Sequence, residues 1–389
     1  MNQIRSVLFV TYHFPPEIGG IHTRIIHYIQ SMRARGIRVT VFVIATRGLR
    51  TERFKMFGAD VFVCTGRVAL LPRTVANIIK SAVSGRADVI HVFTGASTFV
   101  GISSLLIGRV LRVPSVVSFF GKEQLDQSSI LQRMLLPFAL GLSTAIGVNT
   151  NYTKSLLPIS VRPKTSVLTG GAELPLQGNT AWSTGGPKTI LFVGRLVERK
   201  GGDDLLKAFK LTHDQIPDCR LVFVGDGPDR ERLNQLTNTL GIKEVVEFRG
   251  TLVGNPLQNA YEESSVVVLP SKHVASDSST ETMGFSLIEA SMHAKPLVGT
   301  IHGGIPEIIR DGTNGFLVPE GDPARLSEAL FRIISDSELG RKLGRAAYEI
   351  ALQRYTWNAA TERLLGCYGP SFDKHQPSQV VSALPVKRA

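Results

Sequence analysis

The sequence predicts an α/β protein made of two doubly wound, Rossmann-like domains that face a central cleft. Three observations lead there. The chain has 389 residues, too many for one ordinary core and suited to two domains of roughly 150–200 residues each. Short, nearly continuous apolar runs alternate with helix-period segments, which is the pattern of parallel strands covered on both faces. That alternation stops once, near the middle of the chain, and then restarts.

In the first half the strand-like runs are SVLFVTYHF (6–14), VTVFVIA (39–45), DVFVC (60–64), DVIHVF (88–93), SVVSFF (115–120), TAIGVN (144–149) and TSVLT (165–169). Helical segments between most of them give βαβ units. The segment 174–187 is rich in Gly, Pro, Ser and Thr and has no periodicity, so it is a linker. The strands resume at 189–195, 219–227, 245–250, 265–270, 296–300 and 315–319. Helical patterns cover 323–334 and 337–354, followed by a segment at 357–368. The expected boundaries are an N-terminal domain at 1–178, a linker at 179–188, a C-terminal domain at 189–356, a closing helix at 357–368 and a disordered tail at 369–389.

Charge is divided unequally. Residues 1–178 carry 20 Lys and Arg against 7 Asp and Glu (+13), whereas residues 179–389 carry 24 against 25 (−1). The basic half suggests an anionic partner, such as a membrane surface or a phosphorylated acceptor. Nucleic acid is a poor fit, because no recognition motif is present and aromatic residues make up only 7%. Cys64, Cys219 and Cys367 are odd in number and far apart. They suggest neither a disulfide set nor a metal cluster, and a reducing cytoplasm is expected. No signal peptide or membrane-spanning stretch is expected.

In open α/β sheets ligands bind beyond the carboxyl ends of the strands, so the strand-to-helix loops should hold the chemistry. After the first strand, Gly19 and Gly20 precede a helix whose apolar face includes Ile21, Ile25, Ile29 and Met32. Bare glycines at a helix N-terminus let backbone N–H groups approach an anion. Gly194, Arg195 and Lys200 belong to the next such loop, GRLVERKGG. Two cations converging on a cleft can neutralise a leaving diphosphate. Asp203 and Asp204, at the following helix start, suit helix caps better than a metal site. In ETMGFSLIEASMH, Glu281 precedes a helix that carries Glu289, and backbone N–H groups around Met283, Gly284, Phe285 and Ser286 should face the cleft.

Taken together, PPEIGG, VGRLVERKG, VFVGDGP, VEFRG, the Glu281–Glu289 pair and HGGIPEIIRDGTNGFLVPEGD resemble glycosyltransferase family 4, retaining enzymes of the GT-B fold. The motifs run in the family's order over residues 7–320, and the HGGIPE stretch looks most like members that build exopolysaccharide and colanic-acid-type chains. The resemblance implies a nucleotide-diphosphate sugar donor (UDP- or GDP-linked), no required metal or other cofactor, and a lipid-linked or saccharide acceptor at the N-terminal domain. It implies that Arg195 and Lys200 hold the diphosphate, and that Gly20 approaches it from the other domain. Glu281 would bind hydroxyls of the transferred sugar and Glu289 the ribose. Arg249 stands where main chain meets the base. The segment 357–368 matches a helix that crosses back to the N-terminal domain. A sugar-nucleotide 2-epimerase and a binding-only relative are the alternatives on the same fold.

One position departs from the family. A histidine that contacts the donor sugar near its sixth carbon is replaced by Phe120, which cannot hydrogen-bond. A donor without a hydroxyl at that carbon is therefore expected, with His91 the nearest candidate catalytic substitute. Finally, Leu71, Val75, Ile78, Ile79 and Ala82 share one face of a helix at 71–82 that also carries Arg73 and Lys80, with Arg67 and Arg86 at its flanks. That pattern suggests an interfacial helix on anionic lipid, at the inner face of the cytoplasmic membrane.

Overall fold

The computed structural model describes residues 4–12, 14, 20–45, 52–65, 72–93, 98–120, 130–175, 188–277 and 279–369. The first sheet contains β1 (Ser6–Thr11), β2 (Arg38–Ala45), β3 (Glu52–Met56), β4 (Ala59–Thr65), β5 (Val89–Val92), β6 (Ser115–Phe119), β7 (Ala145–Val148) and β8 (Thr165–Val167), in the order β3-β4-β2-β1-β5-β6-β7-β8. The second contains β9 (Lys188–Val193), β10 (Cys219–Val224), β11 (Val246–Phe248), β12 (Val266–Leu269), β13 (Leu297–Thr300) and β14 (Gly315–Val318), in the order β11-β10-β9-β12-β13-β14. Every pairing is parallel except β3 with β4.

The continuous apolar runs are explained by this layering. Strands such as β1 and β12 are buried along their whole length, because helices cover both faces of each sheet. In both sheets the order reverses beside the domain's first strand, β1 or β9, and that reversal opens a crevice at the strands' carboxyl ends.

The sequence reading did not include β3. ERFKM is charged and lies on the sheet edge, where an apolar run is unnecessary and charge discourages aggregation. It pairs antiparallel with β4 through Phe57 and Gly58, whose φ angles of 51° and 76° suit the tight hairpin turn that matches strand twist.

The helices used below are α1 (Gly20–Ala34), α2 (Pro72–Ser84), α3 (Phe99–Leu111), α4 (Ile130–Leu142), α5 (Asn151–Ser155), α6 (Gly202–His213), α7 (Arg230–Thr239), α8 (Asn255–Glu263), α9 (Phe285–Met292), α10 (Pro323–Ser335), α11 (Ser337–Arg354) and α12 (Trp357–Cys367). The last of these returns to the N-terminal domain. Ala360, Leu364 and Leu365 pack into the same core as Val7, Phe9 and Ile29. The linker expected at 179–188 lies outside the described residues except for Lys188, which begins β9, and all of the expected tail beyond Gly369 lies outside them as well.

The apolar stripe foreseen on α2 is used mainly for packing. Ile78 and Ala82 are buried in the core beneath the first sheet, with Val75 packed against them. Of the apolar residues named for an interfacial face, Ile79 alone is exposed among the described side chains. An ordinary core-facing helix has the same periodicity.

Candidate active site

The site grows from the switch point of the second sheet. After β9 the chain passes Gly194 and Arg195, forms a short 3-10 turn at Glu198–Lys200, and enters α6 through Gly201. Gly201 has φ 70°, and a Cβ there would lie 2.0 Å from the Pro270 carbonyl oxygen. Only glycine permits this approach, which holds Lys200 against the end of β12. The loop after β12 brings Glu281 to the same place.

Glu281 is the centre of a compact charge cluster. Lys200 Nζ donates a hydrogen bond to Glu281 Oε2, and the two side chains are nearly buried. Arg199 Nη1 lies 3.8 Å from the same oxygen, and Ser271 Oγ donates to it at 3.4 Å. The Gly284 amide donates to Glu281 Oε1 at 3.0 Å. Burial alone would raise the carboxyl's pKa, but Lys200, Arg199 and the Gly284 amide outweigh it and hold it below the ordinary glutamate value. Arg199 was not singled out from sequence; the signal was its place between Glu198 and Lys200 in the same loop.

Glu289 sits on α9, and the opposite conditions act on it. Burial raises its pKa, the Tyr261 hydroxyl lowers it by donating to Oε2 at 2.6 Å, and Glu173 adds like charge; the balance is upward. Tyr261 in turn stacks on His293, with ring centroids 5.2 Å apart. Burial lowers the His293 pKa to about 4.

These groups line one cleft of about 630 Å³. The C-terminal domain supplies Gly194, Arg195, Lys200, Gly254, Leu257, Gln258, Tyr261, Glu281, Phe285, Ser286, Glu289 and His293. The opposite wall is formed by Thr23, His27, Gly171, Ala172 and Glu173, with Trp357 from α12. His27 stacks on Trp357 at 4.2 Å between centroids and lies 3.5 Å from Glu173. Sequence reasoning missed this wall, because its residues come from α1, from the chain after β8 and from the returning helix. Among the described residues no group of three His, Cys, Asp or Glu is arranged to hold a metal.

Several contacts tie the domains together at the cleft floor. Arg24 on α1 is 1% exposed. It donates to the Leu168 carbonyl at 2.7 Å and contacts Met283 Sδ at 3.8 Å. Its guanidinium lies 3.9 Å from the Phe120 ring centroid and 5.5 Å from that of Phe285. Nearby, the Glu307 carboxylate accepts from the backbone N–H groups of Asn151 and Tyr152 at 2.9 and 2.8 Å. Thr150 Oγ1 donates to the Thr282 carbonyl at 3.0 Å.

Five sequence-based expectations need correction. His91 is fully buried, with one ring nitrogen 2.7 Å from Tyr368 Oη and the other 2.7 Å from Ser118 Oγ. Burial lowers its pKa to about 3. It is a satisfied core histidine rather than a catalytic group. Phe120 is buried, with Arg24 over its ring and Phe93 packed at 6.0 Å. Its ring meets protein where a sugar was expected, so the argument for a donor without a C6 hydroxyl loses its basis. Asp203 and Asp204 do not cap α6: Lys272 Nζ binds them at 2.8 and 2.9 Å. Arg249, expected to meet the base through its main chain, is not among the residues that line the cleft: its amide donates to the Phe223 carbonyl at 2.9 Å, its guanidinium bridges Glu247 and Glu263, and the neighbouring wall is formed by Gly254, Leu257 and Gln258. The Gly284 amide is taken by Glu281, and Met283 is buried against Arg24, so Phe285 and Ser286 alone represent that loop in the cleft wall. Gly20 begins α1, while Gly19 lies outside the described residues.

Comparison with known proteins agrees with this architecture. The model of "Glycosyltransferase Family 4" matches residues 18–164, and that of "Glycosyl transferases group 1" matches residues 182–350. The chain is 28% identical over 391 residues to the sulfoquinovosyl transferase SQD2 of Arabidopsis thaliana, covering 92% of this chain and 72% of that one. It is 25% identical over 378 residues to a GDP-mannose-dependent phosphatidylinositol monomannoside mannosyltransferase of Mycolicibacterium smegmatis, covering 92% and 97%. Among solved structures, Anabaena Alr3699/HepE in complex with UDP superposes with a TM-score of 0.73 at 20% identity, covering 93% of this chain and 98% of that one. A glycosyltransferase from Rickettsia africae gives 0.75 at 16%, covering 96% and 100%. One family model falls on each domain, the folds agree, and the chain belongs to glycosyltransferase family 4, nucleotide-sugar-dependent transferases of the GT-B fold.

Proposed function

We propose that this enzyme transfers a sugar with retention of anomeric configuration from a UDP- or GDP-linked donor to a lipid-linked or saccharide acceptor at a membrane surface. One observation carries the donor part: Arg195, Lys200, Glu281 and Glu289 converge on one cleft from the loops of β9 and β12. Arg195 and Lys200 neutralise the diphosphate as its bond to C1 of the sugar breaks. Preorganised cations aimed at developing charge are the largest single source of catalysis in such sites. Glu281 accepts hydrogen bonds from hydroxyls of the transferred sugar, and Glu289 from the ribose. The acceptor oxygen forms the new bond to C1 on the face the diphosphate leaves, and its proton passes to the departing phosphate. The two cations carry the charge that a metal carries elsewhere, so transfer persists in EDTA.

The acceptor is placed against the N-terminal wall, near Thr23, His27 and Glu173, and the strong positive charge of that half supports work beside anionic lipid. Incubation with labelled nucleotide sugars and bacterial lipid extract, followed by chromatography and NMR of the product, tests this reading. A glycosylated acceptor with the donor's α configuration is expected. An inverted linkage overturns the stereochemical claim. An isomerised nucleotide sugar with no acceptor product overturns transfer.

A further inference from the structure

The N-terminal domain presents a second surface that the cleft does not use. Helices α2, α3 and α4 lie side by side on one face of the first sheet. Their inner residues Ile78, Ala82, Val100, Leu105, Ala139 and Leu140 share one core with Val10 and Val117. Their outer faces are also apolar. Val110 is 79% exposed and Met134 72%, with Val83, Phe138, Leu106 and Ile79 exposed beside them. An apolar surface of this kind on a protein's exterior marks an interaction site.

Charge identifies the occupant. Helices α2, α3 and α4 contain no Asp or Glu, whereas Lys80 and Arg109 are exposed on them. Exposed aliphatic and aromatic side chains interspersed with cations, without a single acidic residue, fit the interface of a bilayer that carries anionic headgroups. A second copy of the chain would bring the same cations face to face. Nucleic acid would leave Val110, Met134 and Phe138 without an apolar partner. Phe99, exposed at the first residue of α3, follows the carboxyl end of β5, the edge of the sheet at which the cleft opens, and the rest of the patch extends from there along the helices toward the opposite end of the sheet.

We infer that the outer faces of α2, α3 and α4 form the surface by which this enzyme docks on anionic membranes, with α3 and α4 supplying most of the apolar contact. This inference rests on the reading that the enzyme works at a membrane surface. It moves the contact from the stripe foreseen on α2, which packs inward, to the outward residues of the three helices.

Vesicle flotation tests it, with phosphatidylcholine vesicles and with vesicles in which phosphatidylglycerol replaces part of that lipid. The wild-type chain should float only with the anionic vesicles, and high salt should release it, because screening weakens attraction to a charged surface. Each cation beside an anionic surface contributes about fivefold in binding. Lys80→Glu with Arg109→Glu should therefore lower the partition coefficient by about tenfold or more. Val110→Glu with Met134→Glu should abolish flotation. Both positions are exposed, so the melting temperature should stay unchanged, and nucleoside diphosphate binding should persist in both variants. Flotation that ignores lipid charge, or that survives both double variants, overturns the inference. Failure of the wild type to float overturns it too, while leaving transfer to a soluble acceptor standing. A dimer in light scattering that Val110→Glu with Met134→Glu dissociates would assign the patch to self-association instead.

Discussion

Lys200 and Glu281 are the most informative pair to perturb, because stability and catalysis should respond to them in opposite proportion. In Lys200→Ala, Glu281 loses its nearest cation but keeps Arg199 at 3.8 Å and the Gly284 amide at 3.0 Å. A cation at about 4 Å contributes about 4 kcal/mol at an effective dielectric of about 20. Arg199 thus already supplies attraction of that order, and the stability loss should be only about 1–2 kcal/mol. In Glu281→Ala, Lys200 and Arg199 are left as adjacent like charges. Removing one partner of a buried pair then costs about 3–5 kcal/mol, softened where Arg199 still faces Asp277 at 3.5 Å. Activity should rank differently. Lys200→Ala should lower kcat/KM by about 10²-fold or more, as expected when a group that stabilises developing charge is lost. Urea unfolding of both single variants and the double variant, with donor turnover measured on the same preparations, gives the comparison. If Lys200→Ala destabilises as much as Glu281→Ala while retaining wild-type kcat/KM, Lys200 is a structural partner of Glu281 and does not serve the diphosphate.

Three further outcomes are expected. Tyr261→Phe removes the donor to Glu289 Oε2, so the Glu289 pKa should rise further and calorimetry should show nucleoside diphosphate binding about tenfold weaker, about 1.4 kcal/mol; unchanged affinity would separate Glu289 from the ribose. Burial depresses the pKa of His27 to about 4, of His293 to about 4 and of His91 to about 3. The unfolded chain therefore binds protons that the folded chain refuses. Their contribution is whole above about pH 6.5 and falls between there and pH 4, by up to about 1.4 kcal/mol per pH unit for each histidine. Urea midpoints across that range should show the slope, and His91→Gln should flatten it. Lastly, Glu307→Ala removes the carboxylate that joins the C-terminal domain to the start of α5; it should raise KM for the donor, and an effect confined to thermal stability would deny it a part in holding the cleft together.

Much of this architecture was legible because parallel strands covered on both faces have to be continuously apolar. VLFV in β1 and VVVL in β12 announce themselves for that reason. The edge strand ERFKM carries no such signal, since an edge gains from charge. Within the site, Arg195, Lys200, Glu281 and Glu289 were legible from loop position and family pattern, and all four line the cleft. Partnerships between distant segments were not. Nothing local pairs Lys272 with Asp203 and Asp204, or Tyr261 with Glu289. Arg24 had one overlooked sign: it falls on the same face of α1 as Ile25, Tyr28 and Met32, so its charge had to be buried. That buried cation, stacked on Phe120, is why a reading based on Phe120 alone failed.

The central claim is that the cations and glutamates of the second switch point form a nucleotide-sugar site. Titration calorimetry with UDP and with GDP, on the wild-type chain and on Arg195→Ala and Lys200→Ala, tests it most directly. One nucleotide should bind in the presence of EDTA, and each variant should weaken it by about tenfold or more, the share of a charge-assisted contact to a phosphate. Binding of neither nucleotide, or binding that both substitutions leave unchanged, would contradict the account.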